Sequence, residues 1–218
     1  MRFVPEFINP EQFIISRKRK KYRFAKFNNS PLCFELNEWQ KRSVDCIEVG
    51  AGNGMFMVEQ AAMAPTKVFV AVDVKGDRLQ KGASEAEARG LKNVYFVRAR
   101  ADQLPQLVKQ HTVSTIWLTF SDPYPKKGST GRRLTHPYFL ALYRQVCKKT
   151  GSLFIKHDNK VFFEWSLEQL VATGWHVREL SFDLHSSALD TSYKVLTQYE
   201  MRWLEEGLTT NFVRATLR

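Results

Sequence analysis

Three acids and a cluster of cations in this chain are spaced for chemistry on a charged ligand. Asp122 stands in Thr-Phe-Ser-Asp-Pro-Tyr-Pro-Lys-Lys-Gly-Ser-Thr-Gly-Arg-Arg-Leu-Thr (119–135), between an apolar run and two prolines, with Lys126, Lys127, Arg132 and Arg133 close behind. A carboxylate at a strand end beside clustered cations suits a reaction site next to bound phosphate. Its bland alternative is a surface Asp-Pro turn. Upstream, Ile47-Glu48-Val49-Gly50-Ala51-Gly52-Asn53-Gly54 precedes Asp73. Glycines at 50, 52 and 54 let the backbone turn sharply and approach a ligand, toward which the next helix points its free N–H groups. Asp73 follows about twenty residues later, where an acid can hold both hydroxyls of a ribose. Met55 occupies the place of the last glycine of a dinucleotide fingerprint, and Glu48 would repel a pyrophosphate. An acid there suits a cationic amino-acid moiety. A glycine turn alone is weak evidence, but Glu48 and Asp73 in register favour a cofactor site.

These residues need a frame that delivers strand ends to one place. Apolar runs predict strands at Val44–Val49, Val68–Val72, Val94–Val97, Ile116–Phe120 and Ser152–Lys156, with two late strands at Val177–Leu184 and Asn211–Leu217. Helical patterns fall between them, at Gly54–Ala64, Asp77–Arg89, Pro137–Lys149 and within Phe162–Thr173. Alternation of this kind predicts an α/β fold, a mostly parallel seven-stranded sheet with helices on both faces. In open sheets of this type ligands bind beyond the carboxyl ends of the strands, where Glu48, Asp73 and Asp122 all fall.

The chain has 218 residues, enough for one α/β domain, expected over 44–218. Residues 1–43 read as a basic arm carrying Arg17, Lys18, Arg19, Lys20, Lys21 and Arg23. Net charge is +11, with 33 Lys and Arg against 22 Asp and Glu, which favours a polyanionic partner. Cys33, Cys46 and Cys147 lack metal-ligand spacing and read as reduced, mostly buried thiols, so no metal is expected. No apolar run reaches signal-peptide or membrane-spanning length, which makes cytoplasm the expected compartment and leaves no membrane partner. No obligatory protein partner is called for; monomer and homodimer both fit.

The glycine turn with Glu48 and Asp73 resembles the first two motifs of class I S-adenosylmethionine-dependent methyltransferases. Ser121-Asp122-Pro123-Tyr124-Pro125-Lys126-Lys127 and Arg132-Arg133-Leu134-Thr135 together resemble the signature of the bacterial tRNA (guanine-N7)-methyltransferase family. His157-Asp158-Asn159 and Thr197-Gln198-Tyr199-Glu200 extend the resemblance, which runs from about Val44 to Arg214. It implies a Rossmann-like class I methyltransferase fold, S-adenosyl-L-methionine as cofactor, and methylation at N7 of a guanosine in the variable loop of tRNA. It also implies that Glu48, Gly50, Gly52, Gly54, Asp73 and Asp122 contact the cofactor, and that Asp122 is catalytic. Lys126, Asp158, Thr197, Gln198, Tyr199 and Glu200 would contact substrate. Lys126, Lys127, Arg132 and Arg133, with the basic arm, would hold RNA. Arg100 and Asp102 stand where the family has an acid or amide on adenine. Tyr124 replaces Trp, Gly128-Ser129 replaces Arg-His, and His157 replaces Thr.

Guanine N7 carries a lone pair and no proton, so its methylation needs alignment rather than a base. A fixed carboxylate near the ring favours the positive charge that develops there, the role expected of Asp122, with hydrogen bonding to the guanine edge as an alternative. Thr197-x-x-Glu200 also spells a capping box for a helix running to Gly207, and Asp158 could cap the next helix. Two other functions fit part of the pattern. Asp122-Pro123-Tyr124 resembles the motif of enzymes that methylate exocyclic amines, and a degenerate methyltransferase fold could simply bind RNA.

Overall fold

The computed structural model describes residues 18–217. Eight strands form one sheet: β1 (Cys33–Glu35), β2 (Cys46–Val49), β3 (Phe69–Asp73), β4 (Val94–Arg98), β5 (Val113–Thr119), β6 (Cys147–His157), β7 (His176–Ser181) and β8 (Asn211–Thr216). Their spatial order is β1-β4-β3-β2-β5-β6-β8-β7, and only β8 runs against its neighbours. Among the described residues seven α-helices accompany them: α1 (Lys18–Asn29), α2 (Met55–Met63), α3 (Gly76–Ala88), α4 (Leu104–Leu107), α5 (Pro137–Val146), α6 (Lys160–Ala172) and α7 (Gln198–Glu205).

Side chains alternate across each strand, and both faces are apolar. Ile47, Val49, Val70, Val72, Ile116 and Leu118 face one core, completed by Leu140, Tyr143 and Val146 of α5 and Phe163 and Leu170 of α6. Cys46, Phe69, Ala71, Phe96 and Trp117 face the other, completed by Phe27 of α1, Phe56 to Val58 of α2, and Leu79, Ala83 and Ala86 of α3. All three cysteines are buried, and none forms a disulfide among the described residues. Among the described residues no helix is long and apolar enough to cross a membrane.

The expected seven strands are eight, because β1 adds an edge strand in the stretch read as an arm. It pairs in parallel with β4, Cys33 opposite Phe96. Just before it, α1 lies against α3, where a Cβ on Gly76 would come within 3.3 Å of the Phe27 ring, and Ser30 donates to the Glu87 carboxylate. Residues 18–43 thus add a helix and a strand to the main body, while Arg17 lies outside the described residues. Helix α5 stops at Val146 rather than Lys149, since Cys147 already pairs with Val113 in the sheet. The late strand expected at 177–184 ends at Ser181, and Leu184 turns into the core instead.

Chain progression reverses around β2, which has β3 on one side and β5 on the other. Loops leaving the carboxyl ends of these three strands therefore diverge and open a crevice between them.

Candidate active site

That crevice is a cavity of about 540 Å³ lined by Glu48 and the glycine turn, by Asp73, by Thr119 to Asp122 and Tyr124, and by Arg132, Thr197 and Tyr199. The two motifs recognised separately in the sequence thus share one space.

Period-two alternation explains the floor. Glu48, Thr119 and Lys156 lie at the ends of adjacent parallel strands β2, β5 and β6, with Thr119 paired to Lys156 in register. Two residues behind them, Cys46, Trp117 and Phe154 set the same face. Glu48 is 1% exposed, and Thr119 Oγ1 donates to its Oε1. Burial pushes its carboxyl up to about 8, with Asp73 adding to the rise, while the Thr119 bond and Lys156 oppose it. Its other oxygen, Oε2, has no hydrogen-bond partner among the described residues.

Asp73 accepts from Gly52 N at 2.9 Å and Lys75 N at 2.8 Å, so one carboxylate ties the glycine turn to the start of α3. Gly52 has φ +59, and a Cβ there would meet no protein atom within 4 Å, because the space belongs to the cavity. Gly54 differs. With φ +72 it begins α2, and a Cβ would stand 2.6 Å from the Phe96 ring. Gly54 does not line the cavity; its lack of a side chain lets α2 approach the sheet.

The loop after β5 is strained. Phe120 and Tyr124, one on either side of Ser121–Pro123, both take left-handed φ values, 48° and 40°. Arg133 explains how this persists. Its Nε donates to Pro123 O at 2.9 Å and its Nη2 to Tyr124 O at 3.2 Å, while the guanidinium stacks 4.4 Å over Trp165. Arg133 is 8% exposed and clamps the loop, which corrects its expected role on RNA. His157 is a second tie: Nε2 donates to Ser121 O at 2.8 Å, and Nδ1 lies 2.9 Å from Asn159 N. Asp122 itself is exposed at the cavity. Arg132 lies 4.7 Å over the Tyr124 ring, and both line the cavity.

The C-terminal wall comes from Thr197 and Tyr199. Thr197 N donates to Glu200 Oε2 and Glu200 N to Thr197 Oγ1, both at 3.0 Å, so the capping box forms. Glu200 is fully buried behind the wall, accepting from His185 Nε2 at 2.8 Å and Thr210 Oγ1 at 3.1 Å, and 3.4 Å from Lys156 Nζ. Lys156 also donates to Val195 O at 2.8 Å, and burial lowers its pKa despite Glu200. Glu200 therefore positions the wall rather than facing substrate. The side chains of Gln198 and of Lys18 to Lys21 lie outside the described residues.

The remaining expected contacts fall elsewhere. Arg100 and Asp102 pair with each other in a two-pronged ion pair at 2.9 and 2.6 Å, and small Ala99 and Ala101 line the cavity in their stead. Asp158 lies 3.1 Å from His157 Nδ1, outside the cavity; Asn159, not Asp158, caps α6. Lys126 and Lys127 are exposed beyond the cavity lining. The sequence pattern did not single out Phe56, Thr119 and Leu134 in the lining, Lys156 behind it, Lys75 just before α3, or Arg78 and Lys81 on it. Only the last three left a signal, a Lys-x-x-Arg-x-x-Lys row directly after Asp73.

A parallel sheet with one reversed strand, and an acid–glycine turn opening on a second acid, define the Rossmann-like class I methyltransferases. Solved structures agree on the fold. The 16S rRNA methyltransferase KamB superposes with a TM-score of 0.60 at 17% identity, over 83% of this chain and 89% of that one. A SAM-dependent methyltransferase from Aquifex aeolicus gives 0.56 at 16% identity, over 97% and 100%. A family model described as "Putative methyltransferase" matches residues 42–212. Among curated relatives, the tRNA (guanine-N(7)-)-methyltransferase of Brevibacillus brevis is 36% identical over 84% of this chain and 87% of its own length. That of Bacteroides fragilis is 34% identical over 90% and 79%. The chain belongs to the tRNA (guanine-N7)-methyltransferase family.

Proposed function

We propose that the cavity binds S-adenosyl-L-methionine and that the chain transfers its methyl group to N7 of a guanosine in tRNA. The observation that carries this reading is the Glu48 carboxyl, buried on the cavity floor with one oxygen unpartnered, a place ready for a cationic amino-acid moiety. The open space over Gly52 and the free lone pairs of Asp73 suit a nucleoside beside it. When bound, the cofactor supplies an electrophilic methyl group on a sulfonium.

The chain's own residues do the rest. Glu48 and Asp73 would hold the two ends of the cofactor, and the glycine turn admits it closely. Tyr124, Arg132 and Tyr199 provide flat faces at the cavity on which a purine can stack. N7 presents a lone pair, so no residue removes a proton from it. Asp122 acts by charge: as the imidazole ring of guanine becomes positive, a carboxylate fixed at its edge favours that state more than the ground state. The ties from Arg133 and His157 keep the loop that carries Asp122 in place. Modification of tRNA implies the cytoplasm as the working compartment.

Asp122→Asn tests this assignment, since it keeps shape and removes charge. At saturating tRNA, turnover should fall on the order of a hundredfold while cofactor affinity changes little. Turnover close to that of the unmodified chain would remove Asp122 from catalysis.

A further inference from the structure

The cavity has two cationic margins, and only one belongs to the loop after β5. On the other, Lys75, Arg78 and Lys81 of the α3 segment and Arg23 of α1 line the same cavity. Lys75 immediately precedes α3, Arg78 and Lys81 follow three residues apart on one side of it, and all three are exposed. Among the described residues no carboxylate lies within ion-pair distance of these four cations. Nearby cations differ: Arg89 at the end of α3 pairs with Glu59 at 2.6 Å, and Arg98 with Glu35 at 2.9 Å. The acids on this margin are Asp77 and Asp73, and Asp73 is already held by two backbone N–H groups.

Sheet order fixes where this margin lies. Strands β3 and β5 flank β2 on opposite sides, so the α3 row and the Lys126–Arg132 stretch stand on opposite sides of the glycine turn. A methionine-derived cofactor brings one carboxylate, which cannot account for four cations. A phosphate-bearing cofactor is opposed by Glu48 and Asp73 at the centre of the same cavity. What remains is an extended polyanion lying across its mouth.

We propose that Arg23, Lys75, Arg78 and Lys81 form a second phosphate-binding margin, so that the RNA backbone spans the cavity from α1 and α3 to the loop after β5. The target base then enters between two anchored stretches of backbone. Phe27 seats α1 on Gly76, which gives Arg23 its fixed place beside the row. This inference rests on the RNA reading above and adds a surface to it.

The test compares two charge-reversed pairs of exposed residues. Arg78→Glu with Lys81→Glu alters the margin; Lys92→Glu with Lys109→Glu makes the same change in net charge at the amino ends of β4 and β5, across the sheet from the cavity. With unmodified tRNA, the first pair should raise KM and Kd on the order of tenfold and flatten the salt dependence by roughly one unit of slope per lost phosphate contact. The second pair should change tRNA affinity less than about twofold. Equal effects from the two pairs, or none from the first, would overturn the proposal. If the unmodified chain methylates no tRNA, the functional reading fails by itself, and the binding comparison still decides the margin.

Discussion

Burying a carboxyl group without a cation is costly in its ionised form, and Glu48 responds by keeping its proton to about pH 8. Above an ordinary value of 4.5 the unfolded chain releases that proton while the folded chain holds it. The stability contribution of Glu48 is therefore whole below about pH 4.5 and is lost as pH rises toward 8. Glu48→Gln should melt close to the unmodified chain at acid pH and several degrees higher at pH 8, both without cofactor. The same substitution should weaken cofactor binding about 10- to 100-fold. At neutral pH, cofactor binding to the unmodified chain should release a proton, seen as calorimetric heats that depend on the buffer; in the Gln variant they should not. Unchanged cofactor affinity would remove Glu48 from the site. Glu48 was legible in the sequence because it sits two residues before a glycine turn. Its neighbour Lys156 was not, since its partner Glu200 lies 44 residues away and only folding joins them. Arg133 was misread for a related reason: inside a run of cations it looks solvated, and its burial depends on Trp165 from α6.

At the scale of elements, two glycines of one turn do different work, and substitution separates them. Gly54→Ala drives a methyl group into the Phe96 ring at a left-handed φ and should cost about 1–3 kcal/mol of stability. Gly52→Ala meets open space, so its stability loss should be smaller, limited to the backbone strain of φ +59. Its methyl group enters the cavity, and cofactor affinity should drop more than for Gly54→Ala. Thermal melts and calorimetry on both variants check the pair; equal effects on affinity would contradict the split. The central strands were legible because buried parallel strands are unbroken apolar runs, as in Phe69–Asp73. Strand β1 was not: three residues beside turns carry too little pattern, and their partner β4 lies far along the chain. Helix α1 was read as an arm because its cations mask a narrow apolar face made of Ala25 and Phe27.

At the scale of the molecule, an excess of 11 positive charges is long-range information that a polyanion can use before any contact forms. The fold then concentrates part of it on two margins of one cavity, with acids at the centre. In the proposed reading, cations outside would hold phosphates, while Glu48, Asp73 and Asp122 inside would serve a cationic donor and a base that becomes positive. Composition alone pointed to the polyanion; the division into rim and centre required the sheet order. The most direct test is nucleoside analysis of unmodified tRNA after incubation with the purified chain and methyl-labelled S-adenosylmethionine. The label should appear in 7-methylguanosine at a single tRNA position. Label in a base methylated on an exocyclic amine, or no label despite measurable cofactor binding, would contradict the account.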